Sequence, residues 1–448
     1  MAATKKNEQK LDALAAFFDE GAYTELYADK DGAVAAGYGT AEGCPAYALA
    51  QNGGALTGAD VEKMVKVMDL AAKTGNPVVT FYDSKGSVLT EGFGALTDAA
   101  RLVEAGARIS GVVPQIAVVL GTCGATQAVA AAAADVTIMA KDAELFLTAP
   151  FTAAAQGDKT PGAGGAELAA RDGIVELVYE SAQAAVAAAA NLVGILPGNN
   201  LSSPALFDFE APEAALDMAK YTGEKAARAI VDAGNMVEFY KDYATHMFTA
   251  LATVAGNVVG VVATEGPNNT MCAGCASKAA RFVRLCDAFS IPVVTIVNTD
   301  GFVKSTANDV HGGVRAAARL AATYADATTA KVAVITGKAV GAAYTALCSA
   351  DLTIALDTAV IAPVEPKAAV TILWQDKLEK SSDLERDTAA LAAEYTAQYA
   401  SAAAAVKAGA ADFAADASSL RSTVVAALDI LGTKRVQRLP KKHGNLSL

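Results

Sequence analysis

PVVTFYDSKGSV, Pro77–Val88, and PVVTIVNTDGFV, Pro292–Val303, are two versions of one pattern, and the residues downstream of each match as well. The first leads to PQIAVVLGTCGATQAVAAAAADVTIMAKDAELFLTAP from Pro114, the second to AKVAVITGKAVGAAYTALCSADLTIALDTAVIAP from Ala330. Pro77 matches Pro292 and Gly86 matches Gly301 at an offset of 215; Gly121 matches Gly337 and Asp135 matches Asp351 at 216. A register kept over that span makes the repeat a whole domain rather than a solenoid unit of about 20 to 50 residues. The expectation is two homologous α/β domains, 1–215 and 216–448.

Length agrees, because 448 residues exceed what one hydrophobic core usually serves. The hydrophobic content of 53% is raised by alanine. Runs such as AVAAAANLVGIL, Ala185–Leu196, fall short of the roughly 20 strongly apolar residues that span a bilayer. The opening MAATKKNEQKLDALAAFF spreads charge through what would be a signal core, so a cytoplasmic protein is expected. A net charge of −12 argues against nucleic acid as a partner, although the tail KRVQRLPKKHGNLSL is locally basic. Cys272 and Cys275 form a CxxC without a second pair to complete a zinc site, and His246, His311 and His443 are scattered, so no metal centre is expected. Two small buried thiols at a helix start is the plain reading of the CxxC.

Residues 11–27 read as an amphipathic helix running into an extended segment. GAVAAGYGT and CPAYALAQ read as paired strands turning at Glu42-Gly43. Val61, Met64, Val65, Met68 and Ala72 recur at helical spacing, with stop signals at Gly75 and Pro77. In the second copy Val258–Thr264 reads as a strand, Ser277–Phe289 as a helix capped by Ser277, and Pro292–Val297 as a strand. An alanine-rich helical stretch from about Asp208 to Ala233 is expected to separate the halves. Alternating strands and helices predict a parallel α/β architecture, either a flat doubly wound sheet or a spiral of ββα turns.

In each copy a strand ends in a Gly-containing loop, Asp83–Gly86 or Asn298–Gly301, and a second strand runs into small residues that open a helix, Gly121–Thr126 or Gly337–Ala343. Small residues let a ligand approach the backbone, and free amides at a helix start attract an anion. One amide from each feature would make an oxyanion hole in each half. Tight strand-to-helix packing accounts equally well for the glycines of either half taken singly. No phosphate loop, HExxH, GxSxG or dinucleotide fingerprint is present, so backbone amides would carry more of any chemistry than side chains.

With these residues in view, the chain resembles the carboxyltransferase subunits of biotin-dependent acyl-CoA carboxylases and decarboxylases. The similarity rests on KAARFVRLCDAFSIPVVTIVNTDGF (Lys278–Phe302), KVAVITGKAVGAAYTALCSADL (Lys331–Leu352), the terminal KKHGNLSL, and in the first half LAAFFDEGAYTEL, AAGYGT, VMDLAAKTGNPVV and ISGVVPQIAVVLG. The resemblance implies two duplicated crotonase-like domains, each a superhelix of ββα turns, in a homo-oligomer where the N-domain of one chain faces the C-domain of another. It implies transfer of a carboxyl group between carboxybiotin and the α-carbon of a short-chain acyl-CoA, with an oxyanion hole for the thioester and one for the biotin ureido oxygen. Gly86, Ala125 and Thr126 would serve the thioester; Gly301, Gly341, Ala342 and Ala343 would serve biotin; Lys85, Ser87, Gly124, Asp300, Phe302 and Tyr344 would contact the ligands.

Lys66 in MVKVM lacks the flanking methionines of a biotin-attachment site, and no ATP-using biotin carboxylase segment is recognisable. Biotin would therefore arrive on a separate carrier protein, and coenzyme A as part of the substrate, with a membrane decarboxylase subunit as a further partner if the complex runs as a decarboxylase. The chain has DSKGSVLTEG (Asp83–Gly92) where relatives commonly have DSGGARIQEG, and TCGATQ (Thr122–Gln127) where they have PCAGGA. These departures keep a non-catalytic scaffold subunit in play, and a lyase or hydratase using Glu91 as a third reading, against the plainer one of a solvent-facing Glu at a helix start.

Overall fold

The computed structural model describes residues 11–212, 215–234, 236–266, 270–437 and 439–445. The start of the opening segment, residues 1–10, and the end of KKHGNLSL, residues 446–448, lie outside them. The chain divides into two compact units, Met1–Ala205 and Leu206–Leu448.

The first unit opens with strands β1 (Tyr23–Glu25), β2 (Val34–Ala41) and β3 (Cys44–Gln51), paired antiparallel in that order. Glu42 and Gly43 join β2 to β3 with φ of 50° and 73°, the left-handed pair that suits a tight hairpin. The helix Gly58–Thr74 starts on a reciprocal cap between Thr57 and Asp60 and stops at Gly75, whose φ is 70°. Beyond it come β4 (Val78–Tyr82), the helix Phe93–Ile109, then β5 (Gln115–Val119), β6 (Thr122–Gly124), β7 (Val136–Ala140), β8 (Glu144–Phe146) and β9 (Leu177–Tyr179). The main sheet has the order β1-β2-β3-β4-β5-β7-β9, parallel from β3 onward, and β6 pairs with β8 in a second small sheet.

The second unit repeats this with β10 (Val237–Glu238), β11 (Met247–Val254), β12 (Asn257–Thr264), β13 (Val293–Thr299), β14 (Lys331–Val340), β15 (Leu352–Leu356), β16 (Val360–Ala362) and β17 (Phe413–Ala415). Its sheet order is β10-β11-β12-β13-β14-β15-β17, with β16 on the far end of β14, so β14 takes the places of β5 and β6 together. Each unit is thus an antiparallel edge followed by parallel crossovers, with a short outlying strand after each central one.

The repeated apolar runs are buried on both faces, as parallel strands require: every residue of β4 and of β13 is buried. In the second unit Val294, Ile296, Val332, Val334, Ile354 and Leu356 stack across neighbouring strands beneath Leu420, Val424 and Ala427 of the helix Leu420–Leu431. Each such Val, Leu or Ile contributes about 1.5–3 kcal/mol on burial. The repeated aspartates tie one crossover in each unit: Asp135 accepts from Gln115 N at 2.9 Å, and Asp351 from Lys331 N at 2.8 Å.

Residues 11–27 hold the helix Ala13–Phe17, after which the chain turns at Asp19–Gly21, where Glu20 has φ of 53°, and runs into the extended β1 as expected. Two expectations need correction. The stretch from Asp208 to Ala233 belongs to the second unit; of helix its described residues hold the turn Met218–Lys220 and the short helix Gly223–Arg228, whose Ala226 and Ala227 are buried in the core. The helix expected at Ser277 begins at Ala273 with Cys272 as its cap, and the Ser277 hydroxyl turns back onto the Ala273 carbonyl. No helix of the described residues is long and apolar enough to cross a membrane.

Candidate active site

Both Gly-containing loops are built the same way. Gly86 and Gly301 have φ of 91° and 106°, values open to glycine and unfavourable for side-chain-bearing residues. The N–H of Gly86 donates to Ser84 Oγ at 3.0 Å, and that of Gly301 to Thr299 Oγ1 at 3.2 Å. Their carbonyls accept from Leu56 N at 2.8 Å and Met271 N at 2.9 Å, and Val88 N and Val303 N return the bond to the Leu56 and Met271 carbonyls. Short parallel bridges result, Leu56 with Ser87 and Met271 with Phe302. In a parallel bridge the middle residue directs its own N–H away from the partner strand. The Ser87 and Phe302 amides therefore face the opposite side of their loops.

The helix starts match as well. Ala125 has φ 52°, ψ −121°, and Gly341 has φ 56°, ψ −127°. Their N–H groups are already engaged, by the Phe146 and Ala362 carbonyls, each at 2.9 Å. Thr126 and Ala342 come next as the first residues of the helices Thr126–Ala132 and Ala342–Leu347, and both are exposed. The first helical bonds run from Val129 N to Ala125 O and from Thr345 N to Gly341 O, so the Thr126 and Ala342 amides precede either ladder. The positive φ at Ala125 and Gly341, strained only at Ala125, turns these amides away from the incoming strand.

Loop and helix start are braced against each other in both units. Thr122 N donates to Asp83 Oδ1 at 3.3 Å, and Lys338 N to Asn298 Oδ1 at 3.0 Å. A Cβ on Gly121 would overlap Asp83, one on Gly337 would overlap Asn298, and one on Gly124 would overlap the Phe146 ring. These three glycines serve close packing, whereas Gly86, Gly301 and Gly341 serve conformation. Ser84, Thr299, Asp83 and Asn298 were not singled out from sequence as site residues, although a hydroxyl two residues before the glycine in both copies was the available signal.

The two sites differ in their side chains. In the second unit Lys338 Nζ pairs with Asp300 Oδ1 at 2.8 Å across the loop, and Phe302 is half-buried. An open cleft of about 620 Å³ is lined by Gly341, Ala342, Tyr344, Ile361, Pro363 and Tyr399, among others. The Tyr344 hydroxyl donates to Ala410 O at 2.8 Å, and burial pushes its pKa up, so it stays a neutral wall. In the first unit Lys85 is exposed, its amide bonded to Gly54 O at 3.0 Å. The Glu91 carboxylate caps the helix Gly58–Thr74 through Gly58 N at 3.0 and 3.2 Å, an occupation that weakens its claim as a catalytic acid. Among the described residues no group of three or more His, Cys, Asp or Glu could hold a metal ion.

Two outward amides beside small residues can share the charge on a developing oxyanion; such donors are each worth about 3–4 kcal/mol of barrier. Comparison with known proteins gives this arrangement its context. A carboxyl transferase domain matches residues 12–446. Methylmalonyl-CoA decarboxylase subunit alpha of Propionigenium modestum is 32% identical over 97% of this chain and 92% of its own. The methylmalonyl-CoA carboxyltransferase 12S subunit of Propionibacterium freudenreichii subsp. shermanii is 33% identical over 92% and 83%. The crystal structure of a transcarboxylase 12S hexamer with methylmalonyl-coenzyme A and methylmalonic acid bound superposes with a TM-score of 0.92 at 29% identity, covering 97% of this chain and 91% of that one. The two units carry the duplicated crotonase-like α/β fold that the sequence led us to expect, and the chain belongs to the carboxyl transferase family.

Proposed function

We propose that this protein is the carboxyltransferase subunit of a biotin-dependent acyl-CoA carboxylase or decarboxylase, moving a carboxyl group between carboxybiotin and the α-carbon of a short-chain acyl-CoA. The observation that carries the reading is the duplicated pair of outward amides, Ser87 with Thr126 and Phe302 with Ala342. The reaction develops negative charge on two carbonyl oxygens, one in the thioester and one in the biotin ureido group, so two holes suit it. The first unit takes the thioester, and the cleft beside Gly341, with its small and apolar walls, takes the flat biotin ring system. Gly86, Ala125, Gly301 and Gly341 then act by shaping the backbone, since their own amides are engaged; Ala343 and Gly124 pack behind it. Lys85, Asp300 and Tyr344 edge the two sites.

Biotin comes on a separate carrier protein, and coenzyme A enters as part of the substrate. The working form is a homo-oligomer in which the N-domain of one chain faces the C-domain of another. Its support is the apolar surface on segments flanking the sites: Leu89, Phe93 and Phe151 are 90%, 87% and 79% exposed in the first unit, and Val310 and Ile372 are 71% and 72% exposed in the second. The complex works in the cytoplasm, with a membrane subunit as partner where it acts as a decarboxylase. The test is carboxyl transfer from a carboxylated carrier to propionyl-CoA by the assembled protein; absence of transfer to propionyl-, acetyl- and butyryl-CoA sinks the reading.

One observation favours a scaffold role instead: the branched, exposed Thr126 stands where a thioester must approach. Calorimetric titration of native protein and Thr126→Gly with acyl-CoA separates the two. Binding by either form supports the enzyme; binding by neither leaves the scaffold.

A further inference from the structure

The CxxC reads in the structure as more than two buried thiols. Cys272 is half-buried and caps the helix Ala273–Ala288, while Cys275 is fully buried one turn in. Their sulfurs lie 3.3 Å apart, and Cys275 N donates to Cys272 Sγ at 3.4 Å. A disulfide needs about 2.05 Å between sulfurs, so closure takes a shift of little more than 1 Å. Hydrogen bonds from the Cys275 thiol, from Cys275 N and from Gly274 N, with His246 nearby, hold the Cys272 thiol well below its ordinary range despite burial. The Cys275 thiol is pushed up by its bond to Cys272 and by burial. The other cysteines offer no equivalent: burial raises Cys44, Cys123, Cys286 and Cys348 alike.

We propose that Cys272 and Cys275 form a reversible dithiol–disulfide couple that exchanges with low-molecular-weight disulfides and acts on the neighbouring loop. The Cys272 thiolate attacks one sulfur of the small disulfide, forming a mixed disulfide and releasing one small thiolate. Cys275 gives up its proton and attacks the Cys272 sulfur, closing the internal disulfide and releasing the second thiolate. The protein loses two protons and two electrons in all, and the small disulfide becomes two thiols. Such exchange favours an accessible thiol of low pKa backed by a resolving one, as here.

The effect on the loop comes through the chain. Cys272 is preceded directly by Met271, which holds Gly301 and Val303 through two bonds of 2.9 Å. Gly274, between the cysteines, has no spare room: a Cβ there would lie 3.1 Å from the Tyr243 hydroxyl. One turn on, Lys278 Nζ is fixed by the Tyr240 and Tyr243 carbonyls at 2.8 and 3.0 Å. With the helix held by its buried face, closing the sulfurs moves the Cys272 end, and Met271 with it.

The test uses the full-length protein in glutathione buffers of graded ratio and does not depend on carboxyl transfer. Intact mass should show loss of two hydrogens in the native protein, reversed by dithiothreitol, and Cys275→Ser should stop at a single glutathione adduct on Cys272. Hydrogen exchange of the peptide spanning 299–305 should shift on oxidation of the native protein and stay unchanged in Cys272→Ser. A native protein that collects adducts without an internal disulfide, or a Cys275→Ser variant labelled at Cys44 instead, overturns the couple. A disulfide that forms with exchange unchanged across 299–305 overturns its action on the loop.

Discussion

Ala125 holds a backbone conformation that glycine holds in its twin, and that pairing gives a quantitative experiment. At φ 52°, ψ −121° a residue with a Cβ lies in territory left almost wholly to glycine, at a cost of about 1–3 kcal/mol. Ala125→Gly removes that strain and returns about 0.4–1 kcal/mol through the greater freedom of the unfolded chain, leaving a net gain of about 1 kcal/mol. For a unit of this size that raises the calorimetric midpoint by about 2–4 °C. The reverse change at the twin, Gly341→Ala, imposes the same strain and sets a Cβ 3.0 Å from the Pro363 carbonyl oxygen, so it should lose at least about 1 kcal/mol. Scanning calorimetry at matched protein concentration reads both. If Ala125→Gly is less stable than the native protein while Gly341→Ala is unaffected, the equivalence of the two helix starts is wrong.

Ala342→Pro tests the amide itself. Proline is well tolerated as the first residue of a helix, so the fold should persist while one donor disappears, and carboxyl transfer should fall about 10²–10³-fold; a folded variant at native rate removes Ala342 from the chemistry. Thr299→Val strips the hydroxyl from the Gly301 amide and should cost about 1–3 kcal/mol, measured by denaturant unfolding, because that buried N–H loses its partner. A third test concerns the buried Asp232. Burial raises its pKa, but the Gly256 and Ala255 amides, Thr253 and Arg421 outweigh that and hold it below the ordinary carboxylate value. Its stabilisation is thus fully present above the unfolded value of about 3.9 and lost as pH falls through the lower folded one. Arg421→Ala breaks the 2.7 Å pair and should cost about 3–5 kcal/mol at pH 7, a difference that shrinks on acidification; an equal loss at pH 7 and pH 3 would mean that packing of Arg421, not its charge, matters.

What was legible in the sequence is what burial writes directly. β4 and β13 are buried along their whole length, and their sequences are mostly apolar because both faces are covered, so PVVTFY and PVVTIV announce themselves. The Gly75 stop and the Glu42-Gly43 turn were readable because left-handed backbone selects residue type. Residue type misled where a local preference was not backed by packing or by a usual cap. Alanine suggested a helix between Asp208 and Ala233, yet among the described residues helix is confined to Met218–Lys220 and Gly223–Arg228, each opened by its own cap, Asp217 or Thr222. Cysteine is not among the usual helix caps, so Ser277 reads as the cap of a helix that Cys272 in fact caps five residues earlier.

The site posed a harder problem, because an amide donor has no letter. Sequence pointed to the glycines, and Gly86, Gly301 and Gly341, with Ala125, are conformational pivots, but the amides of these four are each bonded inside the fold. On the proposed reading the donors sit one residue further on, at Ser87, Thr126, Phe302 and Ala342, where the side chains have little in common. Only the hydrogen bonds of the frame separate pivot from donor. This also explains how the two copies could diverge in letters while keeping their geometry. Any residue but proline supplies an N–H, so positions 87 and 302, or 126 and 342, can differ in size and polarity, whereas the braces at Asp83 and Asn298 keep an acceptor oxygen in the same place. On that reading, substitution by residues other than proline should be tolerated at the donors and punished at the braces, which is opposite to the usual expectation for a side-chain catalyst.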